Sequence, residues 1–329
     1  MTILSTDPQI QIFVDGVAAA YARHPDVMTL PAVEGRVIVE AVRRPWREGG
    51  PMMAESVDRR IALAGGPLRI RVHRPVAAGV LPALIYLHGG GFTFFSLDTH
   101  DRVMREYAAR GGFAVIGVDY PLSPEAKFPE ALDQVAALVE WLAGNGAAIG
   151  IDPARLAIGG DSAGGNLSVA TALVLRDRGK PGLLRAMLLN YPGLSPDKSA
   201  EAAATFGGDG AILSSDEAEF FWRTYLRGPE DRRNPLANVL TADPAGLPPA
   251  LFVVAEIDLL AEQSPVMAAR MIAAGGDAIV RVYRGAVHGF IEAVSVSDLA
   301  AQALQDGAEW VRAKLGQGAA VNQNGAITR

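Results

Sequence analysis

The stretch Arg155-Leu-Ala-Ile-Gly-Gly-Asp-Ser162-Ala-Gly-Gly-Asn-Leu-Ser-Val169 decides how the rest of the chain is interpreted. Residues 155–159 are short and apolar and predict a buried strand, whereas residues 165–175 predict a helix. Between them, Gly160-Asp161-Ser162-Ala163-Gly164 fits Gly-x-Ser-x-Gly, the pattern of a sharp turn that exposes a serine hydroxyl. The flanking glycines leave the room that a strained turn needs, and the following helix N-terminus favours negative charge. An ordinary glycine-rich turn is the alternative, so the motif needs support from elsewhere in the chain.

The composition indicates a globular protein with a large core. Of the 329 residues, 50% are hydrophobic and 20% are charged, and the formal net charge is −6. This acidic balance argues against nucleic acid or an anionic membrane surface as the main partner. The chain has no cysteine, which excludes disulfides, a thiol nucleophile and a thiolate metal site.

The sequence shows no targeting or membrane segment. The start, residues 1–8, lacks the basic residues and the apolar run of a signal peptide. No stretch approaches the roughly 18 consecutive apolar residues that a membrane span requires. We therefore expect a cytoplasmic protein with no membrane span.

Strands and helices alternate along the chain, which predicts an α/β fold with a mostly parallel central sheet flanked by helices. The predicted strands are 54–64 and 68–74, joined as a hairpin, and then 83–87, 113–118, 155–159, 184–190, 249–255 and 278–283. The predicted helices between and after them are 100–110, 130–143, 165–175, 262–274 and 297–314. Because parallel strands end at one edge of a sheet, residues just past those ends converge there.

Other segments fall outside this alternation. Residues 7–24 predict an amphipathic helix, which either packs on the body or caps a pocket, and residues 29–52 predict an irregular connector. The insertion at 193–245 is predicted to cover the site with one helix, Asp216 to Leu226. The predicted organisation is a cap segment and connector at 1–53, an α/β domain at 54–315 with a cap insertion at about 193–245, and a disordered tail at 316–329.

A second motif, His88-Gly89-Gly90-Gly91-Phe92, directly follows the predicted strand 83–87. Three glycines allow backbone N–H groups to point at one spot, which holds an anion without a charged side chain. A flexible turn is the alternative interpretation. We expect His88 to fix the loop by hydrogen bonding rather than to act as a base.

A serine hydroxyl is a weak nucleophile that needs a base in hydrogen-bond reach and a third group to orient that base. Of the five histidines, His288 lies in a loop just after a strand and is followed by a glycine. Among the carboxylates between Ser162 and His288, Asp258 lies just past a strand end, and Glu256 is its rival. We favour Asp258 because its position in the loop gives it the longer reach.

The remaining histidines and aromatic residues have weaker assignments. We expect His73 on the solvent face of its strand and His100 exposed in the first turn of its helix. The aromatic residues near the predicted site either line an acyl pocket or pack in the core; they are Phe92, Phe94, Phe95, Phe206, Phe220, Phe221 and Trp222.

Taken together, these motifs make the chain resemble the hormone-sensitive-lipase-like family of α/β-hydrolase esterases. The matching motifs are His88-Gly-Gly-Gly-Phe92, Gly160-Asp-Ser-Ala-Gly-Gly-Asn166 and His288-Gly-Phe290. Asp119-Tyr-Pro-Leu-Ser-Pro-Glu125 is similar to a further motif, usually written with Arg and Ala in place of Pro121 and Ser123. The family usually shows Asp-Pro-Leu at the acid, where this chain has Asp258-Leu-Leu260. The resemblance covers about residues 55 to 315.

The resemblance implies a serine carboxylesterase that hydrolyses short-chain or acetyl esters through an acyl-enzyme on Ser162. It implies that His288 is the general base and Asp258 its orienter. The backbone N–H groups that it assigns to the oxyanion are those of Gly90, Gly91 and Ala163, with motif support from His88, Gly89, Gly160, Asp161 and Gly164. It implies a small-molecule ester as substrate and neither a metal nor an organic cofactor, and it raises the expectation of a homodimer.

Three other functions compete with this one. The same triad serves an amide or carbamate hydrolase, which only a panel of substrates separates from an esterase. A non-catalytic small-molecule receptor on this fold is a second alternative; plant gibberellin receptors resemble the family but lack the catalytic histidine, so His288 argues against it. A lipase acting at lipid interfaces ranks last, because no exposed apolar lid is evident.

Overall fold

The computed structural model describes residues 4–208 and 210–316. Its eight strands are β1 (Glu55–Leu63), β2 (Gly66–Arg74), β3 (Leu81–Leu87), β4 (Ala114–Val118), β5 (Ile151–Asp161), β6 (Met187–Asn190), β7 (Ala250–Ile257) and β8 (Ala278–Val287). They form one sheet in the order β1-β2-β4-β3-β5-β6-β7-β8. Only β2 runs antiparallel to its neighbours, and β3 to β8 are parallel. The predicted α/β fold with a mostly parallel sheet is confirmed.

Helices cover both faces of the sheet. They are α1 (Pro8–Tyr21), α2 (Ala32–Arg47), α3 (Asp101–Gly111), α4 (Glu130–Asn145), α5 (Ala163–Asp177), α6 (Ala200–Phe206), α7 (Ser215–Tyr225), α8 (Gln263–Ala273) and α9 (Asp298–Gly316). Along β3, Ile85 and Leu87 join the core formed with α4, α5 and α8. Leu84 and Tyr86 join the core formed with α1, α3 and α9. Successive side chains of a strand point to opposite faces of the sheet. Because helices cover both faces here, both sets of side chains are apolar, and the strand sequence is a continuous apolar run.

The predicted irregular connector at 29–52 is wrong, because most of it forms α2. Pro31 precedes the first helical residue, where its fixed φ is compatible with a helix start. Pro45 lies in the last turn, where it removes a hydrogen bond only near the helix end. Between the prolines the helix is amphipathic and buries Val39, Val42 and Arg43.

Helix α1 is fastened to the C-terminal part of the chain. Asp7 caps the helix by accepting hydrogen bonds from two backbone N–H groups, and its own N–H donates to Gly285 O of β8 at 2.9 Å. Gln9 and Asp298 exchange two hydrogen bonds, of 2.8 and 3.2 Å, at the start of α9. The apolar face of α1, which includes Phe13, packs into the core on the α9 side of the sheet. The N-terminal helix therefore docks on the last strand and the last helix.

The structure overturns the predicted exposure of His73 on β2, whose side chain is only 1% exposed. Its Nδ1 lies 2.8 Å from Ser56 Oγ, and its Nε2 lies 3.3 Å from Asp101 Oδ1 of α3. The alternation of β2 was interpreted correctly, but its second face is covered by α3 rather than by solvent. His73 is therefore buried, although it lies on the polar face of the strand.

The insertion at 193–245 contains two helices, of which α7 matches the predicted one and α6 was not predicted. Residues 317–329 of the predicted tail lie outside the described residues, and Gly316 is the last residue of α9. None of the helices in the described ranges is long and apolar enough to cross a bilayer.

Candidate active site

Ser162 lies in a strained turn between β5 and α5, with φ 51° and ψ −116°. A non-glycine residue at positive φ is uncommon and persists only where its surroundings hold it. Here the Ser162 N–H donates to Asn190 O at 3.0 Å, and the Ser162 carbonyl accepts from Gly193 N at 3.1 Å. A Cβ on either Gly160 or Gly164 would collide with the backbone carbonyl of the neighbouring strand β3. The small residues that the motif requires are thus explained by the close approach of the backbone.

Ser162, His288 and Asp258 form a continuous hydrogen-bonded path. His288 Nε2 lies 3.0 Å from Ser162 Oγ, and His288 Nδ1 lies 2.8 Å from Asp258 Oδ2. The second carboxylate oxygen of Asp258 accepts from Leu260 N at 2.9 Å, which fixes the carboxylate plane. With Nδ1–H donating to the carboxylate, Nε2 is left to accept the serine proton. The three side chains come from three loops that follow parallel strands.

Glu256, the rival for the acid, is engaged elsewhere. It lies within β7, and its Oε2 accepts a hydrogen bond from Gly285 N at 2.8 Å. Its carboxylate therefore supports the end of β8, just before His288, rather than the imidazole itself. Asp258 lies just beyond the end of the strand, as the argument from loop position expected.

The electrostatic setting of His288 favours proton uptake. Burial is the largest influence and lowers its pKa, but the negative charge of Asp258 and the hydrogen bond to it outweigh burial. The pKa of His288 is consequently raised above its ordinary value of 6.5. An imidazole next to a carboxylate is stabilised in the cationic form that a general base reaches after accepting a proton.

The backbone N–H groups of Gly90, Gly91 and Ala163 are free to bind an anion. None of the three donates a hydrogen bond to another residue in the described part of the chain. Gly90 and Gly91 have φ values of 94° and 59°, and a Cβ on Gly91 would collide with the Phe221 ring. Ala163 is the first residue of α5, where backbone N–H groups have no helical partner. Free donors beside a serine hydroxyl are what a developing oxyanion requires.

His88 braces the glycine loop, as its neutral state permits. Burial lowers the pKa of His88 to about 3, with the nearby His100 as the second cause. Its Nδ1–H donates to Gly89 O at 2.8 Å, and its ring stacks on Tyr120 with centroids 4.4 Å apart. The Tyr120 hydroxyl donates to the His88 carbonyl at 2.7 Å. Among the described residues, His88 forms no hydrogen bond with Ser162, His288 or Asp258.

The structure also overturns the predicted exposure of His100, which is fully buried. Its Nε2–H donates to Asp161 Oδ2 at 3.3 Å, and the Tyr86 hydroxyl donates to Asp161 Oδ1 at 2.9 Å. Asp161 is itself 2% exposed and immediately precedes Ser162. Two side chains, Tyr86 and His100, thus fix the carboxylate of Asp161 next to the strained turn.

A cavity of about 330 Å³ opens at Ser162. Helices α1 and α2, the glycine loop and the segment from 210 to 221 form its walls. Phe94, Phe95 and Phe221 line it, whereas Phe92 stacks in the core on Tyr225 with centroids 3.8 Å apart. Val14, Val17, Ala18 and Tyr21 of α1 also line the cavity. The N-terminal helix therefore both packs on the body and covers the pocket.

The sequence analysis did not predict the charged residues Asp26, Arg43, Glu217 and Glu292 of this cavity. Arg43 of α2 and Glu292 both line it, with Arg43 Nη1 3.4 Å from Glu292 Oε2. The arginine went unnoticed because its segment was interpreted as a connector; its position on the buried face of an amphipathic helix was the available signal. Across residues 4–208 and 210–316, no group of three His, Cys, Asp or Glu side chains could hold a metal ion.

The chain is similar to known proteins in both sequence and structure. A family model described as alpha/beta hydrolase fold matches residues 84–292. An acetyl esterase of Salmonella choleraesuis (strain SC-B67) is 34% identical over 278 residues, which are 83% of this chain and 84% of that protein. An acetyl esterase of Salmonella typhi is 33% identical with the same coverage.

Solved structures are similar over nearly the whole chain. A hyperthermophilic esterase from the archaeon Pyrobaculum calidifontis has 32% identity and a TM-score of 0.88, covering 94% of this chain and 99% of that one. A thermostable carboxylesterase cloned from a metagenomic library has 36% identity and a TM-score of 0.83, covering 87% and 98%.

Proposed function

This chain belongs to the hormone-sensitive-lipase-like family of the alpha/beta hydrolase fold, and on that premise we propose that Ser162, His288 and Asp258 are its catalytic triad. The chain is a serine carboxylesterase, a carboxylic ester hydrolase, by its similarity to esterases over most of its length. The observation that carries the triad assignment is the hydrogen-bonded path from Ser162 Oγ through His288 to Asp258, of 3.0 and 2.8 Å.

In the proposed mechanism, Ser162 Oγ attacks the ester carbonyl while His288 Nε2 takes its proton. The C–O bond to the alcohol then breaks, and His288 returns the proton to the leaving alcohol. A water molecule, deprotonated by His288 in the same way, attacks the acyl-enzyme and releases the carboxylic acid. Asp258 keeps the imidazole in the tautomer that leaves Nε2 free and stabilises the imidazolium.

The tetrahedral oxyanion is proposed to lie against the N–H groups of Gly90, Gly91 and Ala163. Two observations support this proposal. The three N–H groups donate no hydrogen bond to another described residue, and Ala163 lies at the start of α5. These donors are fixed before the reaction begins, so they stabilise the charge without reorganising.

Short-chain or acetyl esters are the proposed substrates. The curated relatives quoted above are acetyl esterases, and the cavity holds only about 330 Å³ between its aromatic walls. We propose the same division of the chain as before, with residues 1–53 and the insertion at about 193–245 as the cap over the α/β domain. Both segments contribute cavity walls, which supports this division.

A homodimer is a separate proposal. The last strand, β8, ends the sheet and exposes Val282, 56% accessible, on that side. Light scattering during size exclusion distinguishes the 34.6 kDa chain from a species of twice that mass. A single species at the chain mass under dilute and concentrated conditions would exclude the homodimer.

The test of the proposed mechanism is hydrolysis of p-nitrophenyl esters from acetate to dodecanoate by the parent and Ser162→Ala. We expect activity that is highest on short chains and lost in the variant. Ser56→Ala is the matched control, because Ser56 also contacts a histidine, His73, but lies outside the cavity. Its activity should equal that of the parent. Loss of activity in Ser56→Ala with retention in Ser162→Ala would refute the assignment.

Anilide and carbamate analogues of the best ester belong in the same panel. Faster turnover of these than of the ester would move the function to an amide or carbamate hydrolase on the same triad. A Ser162→Ala variant that binds ligand normally, beside a parent that hydrolyses nothing, would favour the receptor alternative.

A further inference from the structure

The cavity wall contains a buried cation, and two of its three nitrogens have no hydrogen-bond acceptor among the described residues. The side chain of Arg43 is 8% exposed, and its Nε and Nη1 have no hydrogen-bond acceptor among the described residues. A guanidinium carries five N–H donors and stays protonated in proteins. Leaving such donors unpaired away from water costs free energy, so a bound ligand that supplies an acceptor is favoured.

The guanidinium is held in place without being satisfied. Its carbon lies 4.9 Å from the centroid of the Phe95 ring and 5.5 Å from that of Phe13, which is cation–π distance. Glu292 Oε2 lies 3.4 Å from Nη1 but also lacks a hydrogen bond. The pair therefore balances charge while both members keep hydrogen-bonding capacity.

This unsatisfied group belongs to the reaction site rather than to a remote surface. Arg43 and Glu292 line the same cavity as Ser162 and His288. Phe95, which lies against the guanidinium, follows closely on the glycine loop and lines the cavity as well. A ligand that reaches Ser162 therefore shares its cavity with the unused donors of Arg43.

We propose that Arg43 binds a second, uncharged oxygen of the ester substrate, and that the enzyme prefers oxygenated esters over hydrocarbon esters of the same shape. The oxygen is an ether, hydroxyl or carbonyl in the acyl or the alcohol part, separate from the scissile ester. This inference rests on the proposed esterase function and specifies the substrate class of that site.

The charges around the cavity favour a neutral acceptor on the substrate over an anionic one. Glu292 already neutralises Arg43, and the carboxylates of Glu217, Asp26 and Asp161 line the same cavity. These like charges would repel a substrate carboxylate, whereas a neutral oxygen carries no net charge for them to repel and can still accept from Arg43. A site with an unpaired donor discriminates best against the analogue that lacks the acceptor.

The test compares isosteric ester pairs, so that shape is constant and one methylene is replaced by oxygen. On the acyl side the pairs are p-nitrophenyl methoxyacetate with butyrate, and ethoxypropionate with hexanoate. On the alcohol side the pair is methoxyethyl acetate with n-butyl acetate. The measured quantity is the ratio of kcat/KM within a pair, and comparing this ratio between proteins cancels the intrinsic reactivity of each ester.

The variants are Arg43→Met and the double variant Arg43→Met with Glu292→Gln, which removes both charges and keeps the volumes. The double variant covers the case in which a lone buried Glu292 prevents folding. Arg44→Met is the matched control, because Arg44 lies on the same helix with its side chain 71% exposed. We expect the ratio for at least one pair to fall about tenfold or more in the Arg43 variants, as for a hydrogen bond from a charged donor. Arg44→Met should keep the parent ratio.

A parent that hydrolyses the esters, with ratios unchanged in both Arg43 variants, would overturn the inference and leave the esterase intact. Preference of the parent for mono-p-nitrophenyl glutarate over the hexanoate would overturn the neutral-acceptor class. If the parent hydrolyses no ester, the proposed function fails. The inference about Arg43 is then tested separately by ligand binding. Methoxyethyl acetate should then raise the Tm of Ser162→Ala more than n-butyl acetate does, and equal shifts would overturn it.

Discussion

His100 Nε2 lies 3.3 Å from Asp161 Oδ2, and this fully buried pair stands directly before the turn that carries Ser162. Burial raises the pKa of Asp161, but the charge of His100 and the hydrogen bonds from His100 and Tyr86 outweigh it, so the net pKa is lowered. Burial likewise lowers the pKa of His100, and Asp161 raises it above 6.5 on balance. The ion pair of His100 and Asp161 thus stabilises the strained turn that carries Ser162.

Replacing His100 by leucine should destabilise the protein strongly. The variant leaves Asp161 buried without its ionic partner, which costs about 3–5 kcal/mol in comparable cases. Tyr86→Phe removes one hydrogen bond to the same carboxylate and should cost less, about 1.5–3 kcal/mol. Urea unfolding of both variants near pH 6 measures these losses. A smaller loss for His100→Leu than for Tyr86→Phe would contradict this account.

The stabilisation by this pair should depend on pH in a defined window. Asp161 has a lowered pKa, so its contribution is complete above 3.8 and is lost as the pH falls through the folded value. His100 has a raised pKa, so its contribution is complete below 6.5 and is lost as the pH rises through the folded value. The difference in unfolding free energy between the parent and His100→Leu should therefore be largest between these limits. A difference that grows steadily above pH 6.5 would contradict this.

Substitution of the two candidate acids should separate their roles. Asp258→Asn should lower kcat by about 10⁴, because an amide favours the wrong tautomer of His288. Glu256→Gln should leave kcat near that of the parent, since Glu256 contacts the Gly285 N–H instead of the imidazole. Steady-state kinetics on one p-nitrophenyl ester suffice. The reverse pattern would assign the acid to Glu256.

The pH profile of kcat/KM should report the titration of His288. Protonated His288 cannot accept the Ser162 proton, so activity falls as the pH drops below the pKa of the imidazole. Because Asp258 raises this pKa against the effect of burial, the half-maximal point should lie above pH 6.5. In Asp258→Asn the residual activity should have its half-maximal point at lower pH. An unchanged profile in that variant would mean that Asp258 does not act on His288.

Alanine at Gly91 should disable the proposed oxyanion site. The added Cβ would collide with the Phe221 ring, and φ of 59° disfavours alanine, so the N–H would be displaced. Loss of one oxyanion donor lowers kcat by about 10²–10³. Gly79→Ala is the control, because Gly79 has φ of 84° and no atom within 4 Å of its Cβ position. Equal kcat values for both variants would argue against the Gly91 N–H as a donor.

Local sequence signals sufficed for the sheet and for the elements that deliver the site. The strand ahead of Ser162, the glycines of the two motifs and the loops after β7 and β8 all depend on residues close in sequence. Parallel topology then places those loops at one edge of the sheet, so Asp258 could be preferred over Glu256 without coordinates. Periodicity and turn chemistry are properties of a short window, and both are visible in one sequence.

The errors concern what covers each element. His73 and His100 were expected in solvent, but α3 covers the first and the core around Asp161 encloses the second. The alternation along β2 defines two faces but does not say what covers each of them. Here α3 covers the face that carries His73 and Arg71. Arg43 was missed because two prolines near the ends of α2 disguised a helix whose middle is amphipathic. For the two histidines tertiary packing decides the exposure, whereas the amphipathic pattern of α2 was a local signal for Arg43.

The fastening of α1 to β8 and α9 has a consequence for synthesis of the chain on the ribosome. Helix α1 precedes the other elements along the chain, and its partners Gly285 and Asp298 emerge nearly 300 residues after it. Domains generally begin to fold from the N-terminus as they are made, but α1 can pack only on α2, through Phe13 and Trp46, until the last strand is out. The part of its apolar face that packs on the C-terminal elements stays uncovered until they emerge. One wall of the pocket is thus among the last parts of the fold to reach its final position, so the pocket stays open on the α1 side until β8 and α9 have emerged.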